Sequence, residues 1–576
     1  MKLIFNRFLG TLPQVDPSLL QANNATVAEN VRLDRGSLYS LKKPKFYRES
    51  RKPRDQLTLY RFAPVPDDPD SGWMFSWDRV VDVAPGPVAG NRQHLTYWTG
   101  EDYPRYTDNS IGTSEEGPLP TGSYRLGVEA PEYGPHLELI FQEPPEPPEP
   151  VPPDPDKTDD DDDDELPESE DASTEVDRDY VVTFLQQLGS LVMEGPPSEP
   201  SKIVTVPSSP KGFGVKVTNI ADPPSGPYPW HGKRLYRRIY SAGLTQFALV
   251  AELGLDQSEF EDYTPDAEIP GDQLVSQNYD PPPETMHSLG VLSNGLMFGA
   301  NEYDVCISEP YLPHAWNPFA RYPLPHPIVG MGQADNQIVA ITAKNPYMVV
   351  GFSPSNMNTV ELHLGQGCLS KRSIISGSFG CCYASPDGMV LISGQGSRII
   401  TAGLLTREQW QDLNPASMIS ATDEDLLVVT YTRADGSHGT MFMDPASPEM
   451  GIRFTDQYFL SAYHDGLLNG LLVWEPNEQA ICLWDEGDLL PYTWRSKLHV
   501  LPMPLCMTAA RVEADSYDNL TFRLYIDDAL KYQVPVVGSD GFRLPSGYQS
   551  RLMRVELIGT DVVRSLCIAE APHELE

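Results

Sequence analysis

The sequence predicts an all-β protein built from short strands and frequent turns, and three observations carry that prediction. The 576 residues include 44 Gly and 56 Pro, too many chain breakers for long helices joined by brief loops. Hydrophobic residues make up 40% of the chain, and they fall into short strand-like runs bounded by Gly, Pro and Ser. In the second half these runs come in pairs around tight turns, and the pairs recur. At roughly 150 residues per domain the length suggests about four domains, although large all-β units often exceed that figure.

The composition also excludes several classes. There are 42 Lys and Arg against 81 Asp and Glu, giving a formal net charge of −39 and a pI near 4.5, which rules out a basic nucleic-acid binder. No stretch of 18 or more apolar residues offers a membrane-spanning helix, so no stable membrane insertion is expected. The N-terminal MKLIFNRFLG is interrupted by Asn6 and Arg7 before its apolar run reaches signal-peptide length, and it is taken as part of the fold. The seven cysteines (306, 368, 381, 382, 482, 506 and 567) are scattered without a C-x-x-C spacing, as expected for reduced, mostly buried thiols.

Taken in order, residues 1–141 hold an N-terminal segment and the first blade or blades of a ring, with strands expected at Leu57 to Phe62, Trp73 to Val83 and His94 to Thr99. Residues 142–177 form an acidic, Pro-rich linker or projecting loop. Glu143 to Asp177 contains 17 acidic residues and one Lys, −16 of the −39, leaving −23 for the rest. Its opening EPPEPPEPVPPDPD favours extended polyproline II and its six-Asp run repels itself, so no core forms there and its deletion should leave the melting temperature nearly unchanged. Asp154, Asp156, Thr158 and Glu165 fall at positions 1, 3, 5 and 12 of an EF-hand loop, but Asp159 stands where that loop needs Gly.

Residues 178–266 read as a compact sandwich: YVVTFL from Tyr180, KIVTV from Lys202, GVKVTNI from Gly214, RLYRRIY from Arg234 and QFALVAEL from Gln246. The series resembles a fibronectin type III module, which implies a spacer or adhesion surface and assigns no chemistry. Residues 267–576 read as further blades that close with the N-terminal part. Ile338 to Ile341 pairs with Tyr347 to Val350, Leu426 to Tyr431 with Thr440 to Met443, and Leu471 to Trp474 with Ala480 to Trp484. The units start near 289, 338, 389, 426 and 471, a spacing that suits a β-propeller better than a sandwich, whose strands recur about every 10 residues. Strands at Leu505 to Arg511, Phe522 to Ile526, Leu552 to Ile558 and Val562 to Ile568 extend the series. Joining first and last strands in one blade would remove an open edge. One short helix is signalled, with Thr406 to Gln409 as a capping box, Asn414-Pro415 as its stop, and Trp410 packed into the core.

The chemistry search returns no catalytic, cofactor or metal residues. G-x-S-x-G and Walker motifs are absent, Gly394-Gln395-Gly396 opens no helix, and the 11 His residues show no zinc spacing. His314 and His326 sit in Pro-rich stretches as hydrogen-bonded loop residues. Trp73, Trp77, Tyr97, Trp98 and Tyr103 could stack on glycans, although core packing explains them more simply. The chain is therefore read as no enzyme, with no cofactor.

Several strings go further: SEPYLPHAWNP (308–318), CLSKRSI (368–374), YASPDGMVLI (383–392), LLTREQWQDLNP (404–415) and the opening LPQVDPSLLQANNATVAENVRLDRGSLYSLKKP (12–44). Together they resemble a family of tailed-bacteriophage virion structural proteins, and more narrowly the tail hub or nozzle ring proteins of short-tailed phages. The resemblance implies a structural subunit of the virion tail, assembled in the host cytoplasm as a homo-oligomer, a hexameric ring. It would be flanked by an adaptor or portal-side ring and by fibres, with genomic DNA passing through unrecognised by sequence. The alternatives are a receptor- or glycan-binding adhesion protein and a propeller glycan hydrolase using two converging carboxylates.

Overall fold

A computed structural model of the chain describes residues 1–33, 36–63, 71–88, 95–143, 175–207, 212–241, 244–269 and 271–575. The acidic stretch and its EF-hand-like positions lie outside these residues except at Glu143 and 175–177. The described chain is nearly all β, with 47 strands and one α-helix, Arg407–Asp412. It divides into two compact units: Met1–Ser123 with Pro283–Tyr311 and Ala320–Glu576, and Tyr124–Pro282 with Leu312–Phe319.

The larger unit contains a succession of small antiparallel sheets. Ile328–Ala334, Gln337–Thr342, Pro346–Gly351 and Met357–Glu361 pair in chain order, as do Ile375–Gly377, Gly380–Ser385, Gly388–Ser393 and Gly396–Ile399. Ile419–Asp423, Leu426–Thr432, His438–Met443 and Arg453–Thr455 follow the same plan. Three-strand runs at Asp82–Pro85, Thr96–Thr99 and Arg105–Thr107, and at His287–Val291, Met297–Asn301 and Asp304–Glu309, begin two more sheets. Thr58–Phe62 pairs with Trp73–Trp77.

Period-two alternation explains why their central strands read as solid apolar runs. In Gln337–Thr342, Ile338 and Ala340 join a core with Val349 of their own sheet and Phe298 and Ile307 of the preceding one. Val339 and Ile341 join one with Cys381, Tyr383 and Val390 of the following sheet. Likewise Leu427 and Val429 pack towards Met389 and Trp410, while Val428 packs towards Leu471 and Val473. Each sheet is thus buried on two faces by its neighbours. The first strands also touch in sequence: Asp82–Pro85 on His287–Val291, that on Ile328–Ala334, then Ile375–Gly377, Ile419–Asp423, Ser461–Asp465 and Thr58–Phe62.

The sheet Ser461–Asp465, Gly470–Glu475, Ala480–Leu483 takes its fourth strand from the other end of the chain. Lys45–Glu49 pairs antiparallel with Ala480–Leu483, Glu49 opposite Ala480 and Lys45 opposite Leu483. Charge favours this pairing: residues 42–54 hold seven Lys or Arg and one Glu, while residues 475–488 hold five acids and no base. Lys42 Nζ lies 3.7 Å from Glu486, and the Lys42 amide donates to Asp485 at 2.6 Å.

Strands from Tyr492 onward do not continue the hairpin series that their spacing suggested. With the N-terminus they build one further sheet, Lys2–Phe5, Val563–Ala569, Ala509–Ala514 and Phe542–Arg543, and they extend the Ile419–Asp423 sheet beyond Arg453–Thr455 through Ala25–Glu29, Tyr492–Ser496, Ser550–Gly559, Leu520–Ile526 and Ala529–Pro535. The N-terminal pairing decides this outcome, because Phe5 and Phe8 meet Trp494 edge-on at 5.8 and 4.9 Å in their shared core. The Met1 amino group bonds Glu574 and Glu570.

The smaller unit is a β-sandwich. Leu191–Glu194, Tyr180–Leu188, Trp230–Ser241 and Leu244–Leu253 form one sheet; His136–Phe141, Phe213–Thr218 and Phe260–Asp262 form the other. Val182, Val215, Val217, Leu235 and Leu253 close the core. The unit is wider than residues 178–266, since His136–Phe141, from before the acidic stretch, pairs along its whole length with Phe213–Thr218. Arg237 and Asp262, both fully buried, pair at 2.6 Å; Tyr180 Oη also donates to Asp262, and Asp266 takes the second Arg237 nitrogen.

Candidate functional site

The short turn Ser370–Ser373, entering Ile375–Gly377, gathers contacts from the starts of first strands in the larger unit. Lys371 Nζ donates to Asp82 Oδ2 at 2.7 Å. The same oxygen accepts the Ser288 amide at 2.7 Å. Arg372 Nη2 donates to the carbonyl of Leu57 at 3.3 Å and to that of Leu460. Ser370 Oγ donates to the Met418 carbonyl at 2.8 Å. Ser373, fully buried, donates to the Ser370 carbonyl and accepts the Ala384 amide. One turn thereby touches the entrances to Thr58–Phe62, Asp82–Pro85, Ile419–Asp423 and Ser461–Asp465.

Small residues let the first strands approach this turn. A Cβ on Gly330 would stand 2.5 Å from Ile374 Cδ1, and one on Gly332 would stand 2.5 Å from Cys381 Sγ. The Arg61–Asp465 pair adds a tie between Thr58–Phe62 and Ser461–Asp465: Nη1 to Oδ2 is 3.0 Å with side chains 2% and 4% exposed. Asp465 also accepts the amides of Leu467 and Leu468.

His287 brings a ring beside this cluster, its Nδ1 2.9 Å from Ser288 Oγ. Burial, reinforced by the Lys371 charge, pushes its pKa below the usual imidazole value, against the opposing pull of Asp82. The arrangement is not a nucleophile relay: Asp82 is engaged by the Lys371 ammonium and the Ser288 amide, whereas a triad carboxylate orients the histidine. Burial also draws the Arg372 guanidinium down to about 10.

A second concavity, a cleft of about 490 Å³, is lined by Glu29, Asp412, Tyr431, Arg433, His438 and Asp456. Glycoside hydrolysis needs one carboxyl held protonated by an apolar setting. Asp412 is 74% exposed and faces Arg433 at 3.4 Å, the opposite environment. Among the described residues, no group of three or more His, Cys, Asp and Glu could hold a metal ion, and no helix is long and apolar enough to cross a membrane.

The residues singled out in the sequence mostly serve packing. Trp77, Tyr97 and Trp98 are buried, and Trp77 meets Trp98 at 5.6 Å; Trp73 carries the Arg51 guanidinium and Tyr103 that of Arg105. Trp410 is buried and donates to the Ser385 carbonyl, and Thr406 and Gln409 form a reciprocal capping box. Gly394-Gln395-Gly396 is a hairpin turn fixed by Asp335. His314 is no loop residue: it lies buried in the strand Leu312–Pro323, edge-on to Tyr279, and burial pushes it down to about 4. His326 is half-exposed between strands. All seven cysteines are free thiols, five of them buried. The sequence does not single out the Ser370–Ser373 turn: within CLSKRSI its available signal is a Lys-Arg pair flanked by serines before a strand.

No protein-family model and no curated protein matches the chain. Solved structures give faint likenesses. An exo-β-1,3-galactanase from Phanerochaete chrysosporium with galactose is 7% identical, covering 67% of this chain and 95% of its own, at a TM-score of 0.15. The extracellular domain of a hybrid two-component system from B. thetaiotaomicron is 10% identical over 88% and 94%, at 0.17. Trypanosoma rangeli sialidase with sialic acid is 6% identical over 90% and 95%, at 0.13. Likenesses at this level carry no argument about fold or function.

Proposed function

We propose that the chain is a structural ring subunit of a bacteriophage tail, a hub or nozzle component, and that its rigid element is a seven-bladed β-propeller. The blades begin at Thr58, Asp82, His287, Ile328, Ile375, Ile419 and Ser461. The observation that carries the propeller reading is the pairing of Lys45–Glu49 with Ala480–Leu483, because a last blade completed by the first strand ties the two chain ends together and leaves no open step in the series. The continuous cores between successive sheets support the same reading. The sandwich is then a fibronectin type III-like spacer able to reach a neighbouring copy or a fibre.

A stiff disc presenting two different faces suits a heterologous interface that closes by rotation, as a hexameric ring requires. The Ser370–Ser373 turn occupies the centre of the blades, so the DNA conduit would be the lumen enclosed between copies. Affinity for DNA comes largely from Lys and Arg neutralising phosphates. A wall drawn from a surface with net charge −23 outside the acidic stretch would let the genome slide past.

The test is to purify the phage particles, confirm the chain by mass spectrometry and locate it by electron microscopy. Density for several copies encircling the tail axis supports the reading; a position at fibre tips, or absence from the particle, overturns it.

A further inference from the structure

We propose that the cleft lined by Tyr431 and Arg433 binds a neutral saccharide, whose hydroxyls meet donors and acceptors that the chain leaves unspent. Tyr431 is only 3% exposed, yet its hydroxyl accepts one long bond, from Arg433 Nη2 at 3.4 Å, and donates to nothing among the described residues. Gly439 makes room for that hydroxyl, since a Cβ there would stand 2.7 Å from the Tyr431 oxygen. Burial raises the phenol pKa, with Arg433 opposing and Asp412 and Glu29 adding to the rise, so the group keeps its proton at neutral pH. The Arg433 Nε–H is likewise buried without a hydrogen-bond partner: Asp412 lies 3.4 Å away but out of line for a bond.

A ligand that completes this cleft must accept from Tyr431 and Arg433 and donate to Asp412, Glu29 and Asp456, which line the same space. An anion would face three carboxylates. A cation would leave both donors unanswered and stand against the guanidinium. A hydroxyl serves both needs, because it carries one donor and two acceptor lone pairs, and neighbouring hydroxyls on one sugar ring suit an Asp beside an Arg. The half-buried Phe454 offers an apolar surface for the C–H face of such a ring. The cleft volume of about 490 Å³ falls within the range of small-molecule sites, about 300–1,000 Å³.

The experiment is saturation-transfer NMR on the full chain with millimolar lactose, maltotriose and chitotriose as neutral probes, and with sialyllactose as the acidic counterpart of lactose. At least one neutral probe should show saturation transfer, and titration of that probe gives its dissociation constant. Tyr431→Phe, which keeps the ring and removes only the hydroxyl, should weaken binding about fivefold, and Asp412→Ala, at an exposed position, about tenfold. Glu408→Ala, on the same helix but outside the cleft, should leave binding unchanged. Silence from every neutral probe overturns the inference, as does binding undiminished in either cleft variant. Stronger binding of sialyllactose than of lactose overturns the neutral assignment. The cleft lies inside the larger unit and asks nothing of ring assembly, so a blank result leaves the tail-ring reading to the particle experiment.

Discussion

Substituting Asp465→Asn tests whether the sheets that hold Thr58–Phe62 and Ser461–Asp465 are joined as described. Asp465 and Arg61 belong to strands about 400 positions apart in sequence, yet they meet at 3.0 Å with side chains 4% and 2% exposed. Asparagine keeps the shape and can still accept the Leu467 and Leu468 amides with its side-chain oxygen, so the change removes mainly the charge. Taking one partner from a buried pair typically costs about 3–5 kcal/mol, because the other charge stays buried. Restoring neutrality with the double variant Arg61→Met/Asp465→Asn should recover much of that loss. The assay is urea unfolding followed by tryptophan fluorescence, reading the transition of the larger unit across a double-mutant cycle. An exposed pair, Arg564–Asp515 at 61% and 44% exposure, serves as control and should give no measurable change on neutralisation. A loss below about 1 kcal/mol for Asp465→Asn, or strict additivity in the double variant, would refute the reasoning.

Further outcomes follow from the same geometry. Asp262→Asn should destabilise the sandwich by about 3–5 kcal/mol in a denaturant melt, since Arg237 is fully buried and Tyr180 donates to the same oxygen. Gly332→Ala should cost about 1–3 kcal/mol by overpacking against Cys381, and Cys381→Ala should partly rescue it. His314 and His499 are held near 4 by burial, while their unfolded values lie near 6.5. The unfolded chain therefore binds more protons between these values, and stability should fall as pH drops from about 6.5 towards 4, by up to about 3 kcal/mol for each histidine, then level off. His314→Gln and His499→Gln should each flatten that decline in melts recorded across the range.

The parts of the fold legible in the sequence are those whose chemistry is local. The hairpins at 337–351, 426–443 and 470–483 announce themselves because both faces of their strands are buried and their central positions are mostly apolar. Two of the first strands, Ile375–Gly377 and Ser461–Asp465, do not. ISG at 375–377 and SAYHD at 461–465 are mostly small or polar and offer no apolar run to mark them. The C-terminal strands looked like further hairpins since the partner that diverts them, Lys2–Phe5, lies more than 500 residues away. Charge complementarity between residues 42–54 and 475–488 was visible in the composition of each segment, but a pairing across such a separation has no periodic signature.

High-resolution cryo-electron microscopy of the purified chain tests the central claim most directly. The account predicts seven blades around one axis, the Lys45–Glu49 strand lying against Ala480–Leu483 of the same molecule, and copies arranged in a closed ring about an open lumen. A density in which these strands belong to different molecules, or in which the sheets form an open stack without a common axis, would contradict it.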